Sequence, residues 1–319
     1  MESNNDLRLL IKVAQMYYEQ DLTQAQIAKS LGIYRTTISR MLKKIRDQGI
    51  VTIAINYQYH ETLQLEQRLK QRYGLKEAIV SPVGAEQSPQ EKLDSIGLLC
   101  ANFLNNIIED RDVIGFSWGS ALAATVEHMA DGCGKKSAIC VPMVGGPSGK
   151  LESRYHVNTI VYSAAVKMRA ESKLIDFPAI LEQKLIRDGI MESQHYRTIA
   201  EYWDRLDIAV FGIGSPNITG QSTWRAFYGN DAIAHFNSAA VAGDICSRFY
   251  DAAGKRIDTY LSEKTINITL DKIKRANYAI GVAHSYEKLS GIIGALRGGY
   301  INCLVTTKET AEKLLTLNE

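Results

Sequence analysis

The 319-residue sequence predicts an α/β protein in which a small helical unit precedes a large doubly wound α/β domain. Three observations carry this. From Leu75 onward, apolar β-branched runs alternate with helical patterns, the signature of a parallel sheet buried on both faces. Before Ile50 the apolar residues repeat at helical spacing instead. The net charge of +2 is also uneven: residues 1–56 hold eight basic and five acidic side chains, leaving 29 and 30 for the rest. The basic excess is confined to the helical unit.

Within that unit, Leu7, Leu10, Ile11, Ala14, Tyr17 and Tyr18 predict a first helix, with Asp21-Leu22 as the joint. Thr23 followed by Gln26 reads as a capping box that satisfies orphan donors at a helix start. Gly32 ends that helix where a left-handed residue is cheapest. The chain then restarts as a helix whose Ile38, Met41, Leu42 and Ile45 share one face. Thr36, Ser39, Arg40 and Lys43 occupy the other. Between Leu22 and Arg46 there are six Lys or Arg and no Asp or Glu. Charge alone would fit a solvated helix face. Ala28 at a helix crossing, Gly32 four residues on and Ile38 six further make it resemble a helix-turn-helix, whose second helix enters the major groove. The expected partner is double-stranded operator DNA. Tyr34, Arg35, Thr36, Thr37, Ser39 and Arg40 are candidates for base or phosphate contact. Thr23, Gln24, Lys43, Lys44 and Arg46 are candidates for the backbone.

Asp47-Gln48-Gly49 is a helix stop, and Ile50–Ile55 is β-rich enough to form the strand of a small wing. We place the helix-turn-helix domain at 1–56 and a linking helix at 57–74, ending at Gly74. Its stripe of Leu65, Leu69 and Tyr73 packs either within the chain or on a second copy. The α/β domain spans 75–319. Its predicted strands are Glu77–Val80, Val113–Phe116, Ala138–Val141, Asp207–Gly212, Tyr278–Ala283 and Ile301–Val305.

Ligands of open α/β sheets bind beyond the carboxyl ends of the strands. Three strand ends carry glycine there. Gly115-Phe116-Ser117-Trp118-Gly119-Ser120 runs into a helix over Ala121–Met129 and offers amides and hydroxyls to an oxyanion or sugar hydroxyls. Val144-Gly145-Gly146-Pro147-Ser148-Gly149-Lys150 permits close backbone approach but lacks P-loop spacing, and a flexible surface loop would read the same. Gly212-Ile213-Gly214 lacks the third glycine of a dinucleotide fingerprint, so no nucleotide cofactor is expected. Asp244, Asp258 and Glu263 are candidate hydroxyl acceptors, although a carboxylate such as Asp244 could equally cap a turn. Lys288 near a helix start opposes the usual dipole preference and suits an anionic ligand. His128, His156, His195, His235 and His284 have no triad-like context, so no catalytic residue is assigned.

Cys100, Cys133, Cys140, Cys246 and Cys303 are odd in number and without CxxC spacing, which suits a reducing compartment and no metal site. No signal sequence is evident and no apolar run approaches the roughly 20 residues of a membrane span. We expect a cytoplasmic protein with no membrane contact and no cofactor.

Gly32–Arg40, Ile114–Gly119, Gly145–Glu152, Val241-Ala242-Gly243-Asp244-Ile245 and Leu296-Arg297-Gly298-Gly299-Tyr300-Ile301-Asn302 together resemble the SorC family of bacterial sugar-catabolism regulators over essentially the whole chain. The resemblance implies an effector and oligomerisation domain of the sugar-isomerase and CoA-transferase-like type, used as a sensor. It implies a sugar or sugar phosphate, with sorbose the sugar it points to. The ligand would lie among Gly115, Ser117, Trp118, Gly119, Gly145, Gly146, Gly212, Asp244, Asp258, Glu263 and Lys288. It further implies a homo-oligomer, dimer or tetramer, on palindromic operators. Two other readings are a sugar-phosphate isomerase or deaminase carrying a DNA-binding module, and a protein-interaction module fused to a binding domain.

Overall fold

The computed structural model describes residues 4–53, 57–132, 137–220 and 222–317. It divides into two compact units, Met1–Tyr57 and Gln58–Glu319.

Among the described residues the first unit holds three helices: α1 (Asn4–Tyr18), α2 (Gln24–Leu31) and α3 (Arg35–Asp47). The capping box at the start of α2 is formed: Thr23 Oγ1 accepts from Gln26 N at 3.3 Å, and Thr23 N donates to Gln26 Oε1 at 2.9 Å. Gly32 is left-handed, with φ 64°. The core comprises Leu10, Val13, Ala14, Met16, Ile27, Ala28, Ile38, Leu42 and Ile45. The buried face of α1 is therefore turned from the expected one, with Val13 and Met16 inside and Leu7 and Ile11 outside. Residues 50–53 form no strand. The amide of Ile50 bonds back to Ile45 O at 3.0 Å, so this backbone finishes the helix instead of pairing a wing. Ala54 and Ile55, the rest of the expected wing strand, lie outside the described residues, as do Asn56 and Cys133.

The second unit opens with a helix, Tyr57–Tyr73. Its Leu65 and Leu69 are buried in the large core, which settles the stripe as an intrachain contact. Among the described residues ten strands follow: β1 (Glu77–Ser81), β2 (Val113–Phe116), β3 (Ile139–Pro142), β4 (Glu171–Ser172), β5 (Ile208–Gly212), β6 (Gly243–Ile245), β7 (Arg248–Tyr250), β8 (Arg256–Ile257), β9 (Tyr278–Val282) and β10 (Cys303–Thr307). Seven form one parallel sheet in the order β1-β10-β9-β5-β2-β3-β4. All six predicted strands are present, each within two residues of its expected ends. The two-residue edge strand β4 and the antiparallel sheet β6-β7-β8 carry no period long enough to read.

From β2 the chain moves outward through β3 and β4, then returns to place β5 on the other side of β2 and continues to β9 and β10. The strand order thus reverses between β2 and β5. A crevice opens there because the crossover connections leave toward opposite sides. Both strands are almost wholly buried, so their carboxyl ends are rigidly placed.

Candidate functional site

In the first unit, burial of Ile38, Leu42 and Ile45 leaves Arg35, Thr36, Thr37, Ser39, Arg40, Lys43, Lys44 and Arg46 exposed along α3. Tyr34, the residue before it, is 83% exposed and supplies no side-chain cap. Without a side-chain cap the helix presents its positive end together with Arg35. Thr23 is exposed but its hydroxyl is engaged with Gln26, and Gln24 is half-buried.

In the second unit, a cavity of about 60 Å³ lies at the β2/β5 reversal. Ser117, Trp118 and Gly119 line it from the end of β2, followed by the first turn of the helix Ser120–His128. Gly119 has φ 120° and gives that helix no side-chain cap, so its first amides face the cavity without a protein side chain to satisfy them. Gly212, Ile213 and Gly214 line the cavity from β5, Asp244, Cys246 and Ser247 from the β6–β7 hairpin, and Thr223 and Lys288 complete it. Thr223 also borders a wider hollow of about 490 Å³, with Lys150, Glu152, Tyr155, Thr219 and Arg225.

The cavity's polar groups differ in how far they are already satisfied. Asp244 is buried, its Oδ1 accepting from Trp224 Nε1 and its Oδ2 from Ser247 N at 3.0 Å, while Tyr228 Oη lies 3.3 Å from Oδ2 and closer, at 2.7 Å, to Ser247 Oγ. Burial pushes its carboxyl up to about 6, while these bonds and the Lys288 charge pull it back. Gly214 is required for this arrangement, since a Cβ there would collide with Asp244 Oδ1 and Trp224 Nε1. Lys288 Nζ makes no hydrogen bond or ion pair among the described residues, and burial lowers its pKa. The Trp118 indole N–H is likewise buried without a partner, its ring centroid 4.5 Å from that of Phe227.

Of the sequence-predicted effector residues, Ser117, Trp118, Gly119, Gly212, Asp244 and Lys288 converge on this cavity. Five do not line it. A Cβ at Gly115 would fall 2.6 Å from Met143 Cγ, and one at Gly145 would fall 2.5 Å from the Pro178 backbone, so both glycines serve protein packing. Gly146 lies beneath the His156 ring and borders a separate hollow with Asn158 and Asp176. Asp258 is exposed and paired with Arg256 at 2.6 Å. Glu263 is exposed in a short turn, its carbonyl accepting from Arg187 Nε. Thr223, Cys246 and Ser247 were missed: no turn glycine or motif marks them.

A helical unit with a basic reading face, joined to a sugar-binding α/β domain, defines a sugar-responsive transcriptional regulator. Residues 57–316 match the family described as "Putative sugar-binding domain", and residues 7–71 match the Crp-like helix-turn-helix domain. The chain belongs to the SorC family of transcriptional regulators. It is 57% identical over 315 residues to the sorbitol operon regulator of Klebsiella pneumoniae, covering 99% of this chain and 100% of that one. The crystal structure of that full-length regulator superposes with a TM-score of 0.79, covering 98% of this chain and all of the other. A probable sor operon regulator from Shigella flexneri, 54% identical, superposes over 80% of this chain and 100% of its own with a TM-score of 0.75. The deoxyribonucleoside regulator of Bacillus subtilis (strain 168) is 28% identical, with 97% of each chain covered. Among the described residues, no helix is long and apolar enough to cross a membrane.

Proposed function

We propose that this regulator controls a sor-type carbohydrate operon by binding a sugar phosphate at the β2/β5 cavity. The observation that carries the reading is Lys288, a cation with no hydrogen bond or ion pair among the described residues, in the same cavity as the uncapped first turn of Ser120–His128. A cation and a helix N-terminus converging on one space favour an oxyanion over a neutral hydroxyl. Thr223 lines both this cavity and the wider hollow beside it, so a ligand seated here has an exit. The carbon chain would then extend past Thr223 into the hollow beside Lys150 and Tyr155.

The DNA-binding role falls to α3. Arg35, Thr36, Thr37, Ser39 and Arg40 read the operator, with Tyr34 at the helix start, and Lys43, Lys44 and Arg46 hold phosphates together with Thr23 and Gln24. Two copies, as a dimer or within a tetramer in the cytoplasm, present their helices to the half-sites of a palindrome. An effector alters operator affinity only by binding two subunit arrangements unequally, and a coupling of about 1–3 kcal/mol changes it roughly 5- to 150-fold. Calorimetry with sorbose, sorbitol and their phosphates tests the effector assignment. Binding of a phosphate ester, with the free sugars at least tenfold weaker, is the expected result. Equal affinity for free sugar and ester would contradict it.

A further inference from the structure

The two residues that join β6 to β7 both have positive φ, 51° at Cys246 and 61° at Ser247. A two-residue hairpin of this type normally draws on Asn, Asp or Gly, because other side chains are strained there. Neither residue is one of these, and both are buried in the cavity wall. The surrounding structure over-determines the turn. Ser247 N donates to Asp244 Oδ2 at 3.0 Å, Tyr228 Oη donates to Ser247 Oγ at 2.7 Å, and Asn267 Nδ2 donates to Cys246 O at 2.6 Å. Strain that a structure holds this firmly in place concentrates at ligand-binding positions.

Hydrogen-bond bookkeeping then separates Asp244 from Ser247. Both Asp244 oxygens already accept from the protein, Oδ1 from Trp224 Nε1 and Oδ2 from Ser247 N, and the one proton of Tyr228 goes to the nearer acceptor, Ser247 Oγ at 2.7 Å, not to Asp244 Oδ2 at 3.3 Å. Ser247 Oγ accepts from Tyr228, which leaves its own proton to donate. We propose that Ser247 is an effector-contacting residue whose hydroxyl donates to a phosphoryl oxygen in the cavity, and that Asp244 is the positioning residue that holds the strained turn from behind. This rests on the phosphate-ester reading above, and it reassigns Asp244 from sugar acceptor to scaffold. Glycine at 247 would ease the turn yet remove the donor, which explains why a strained serine stands there.

The test is a double-mutant cycle on the full-length protein, reading affinity for a ketose 1-phosphate or hexitol phosphate by calorimetry and the melting temperature without ligand. Ser247→Ala and Ser247→Gly should each weaken binding about tenfold. Ser247→Gly should melt above Ser247→Ala, since both lose the Tyr228 acceptor and only glycine accepts the turn's φ. Asp244→Asn should weaken binding comparably, but by less than threefold when made in the Ser247→Ala background, because it acts through the hydroxyl already lost. Wild-type affinity in both Ser247 variants overturns the proposal, as does a full additional tenfold loss from Asp244→Asn in the Ser247→Ala protein. A wild-type protein that binds no phosphate ester overturns the effector reading, and this proposal with it.

Discussion

The backbone amide of Ser285 donates to Thr310 Oγ1 at 3.0 Å, tying the residue ahead of the Lys288 turn to the first turn of the C-terminal helix. Ser285 sits at φ 98° and ψ 151°, a conformation that costs a non-glycine residue roughly 1–3 kcal/mol. The Thr310 hydroxyl helps to hold it there and is itself buried beside Thr307 Oγ1, 3.0 Å away. Lys288 is thus placed by a strained residue clamped to the end of the sheet.

Thr310→Val keeps the shape and removes the acceptor. It should cost about 1–3 kcal/mol by leaving the Ser285 amide unsatisfied, and it should weaken phosphate-ester binding by loosening the Lys288 turn. Urea denaturation and calorimetry together check this, and an unchanged unfolding midpoint would argue that the clamp carries no energy.

Buried Asp244 and half-buried His284 give a pH signature. Burial raises Asp244 to about 6, above its ordinary 3.8, so between these values the folded state binds more protons and its stability falls as pH rises. His284 is lowered from 6.5 to about 4, first by burial and then by Lys288 and Lys92. Over that range the unfolded state binds its proton and the folded state does not, so stability rises with pH. The two slopes oppose each other in wild type. Relative to wild type, Asp244→Asn should gain stability as pH goes from 4.5 to 6, and His284→Gln should lose it, each by up to about 1.4 kcal/mol per unit. Parallel curves for all three proteins would contradict the assignment.

On α3, Arg40→Ala should relax operator sequence preference and cost about 1–3 kcal/mol if it reads a base. Lys43→Ala should weaken all sequences alike and reduce the salt slope by about one. Mobility shifts at several salt concentrations separate the two outcomes. A loss of preference in the lysine variant alone would exchange the roles.

Gly97 illustrates how packing overrides propensity. An exposed mid-helix Gly→Ala change gains about 1 kcal/mol. Here a Cβ would sit 2.8 Å from the Ala124 backbone, where the helices Pro89–Ile107 and Ser120–His128 press together. Gly97→Ala should therefore destabilise by about 1–3 kcal/mol through overpacking. A raised unfolding midpoint would show that the helices can part at no cost.

Much of the architecture was legible because long periodic signals survive tertiary context. The capping box at Thr23, the turn at Gly32 and six buried strands each rest on a local rule that the fold does not override. The site was only half legible. Glycine marks close approach without saying what approaches, so Gly115 and Gly145, which pack on Met143 and Pro178, read the same as Gly119, which faces the cavity. Asp258 and Glu263 resembled Asp244 in type, but only the last lies where β6 pairs with Gly214 at the end of β5. Cys246 and Ser247 were invisible because their backbone is held by distant side chains, Tyr228 and Asn267, with no turn-forming residue to announce it.

Lys288→Met removes the cation that, beside an uncapped helix, gives the effector's phosphoryl group its seat. Operator affinity would be measured by mobility shift with and without the phosphate ester that binds wild type. The expected outcome is wild-type operator binding without ligand and a response to the ester that needs at least tenfold more of it. An unchanged response at wild-type concentrations would contradict the account.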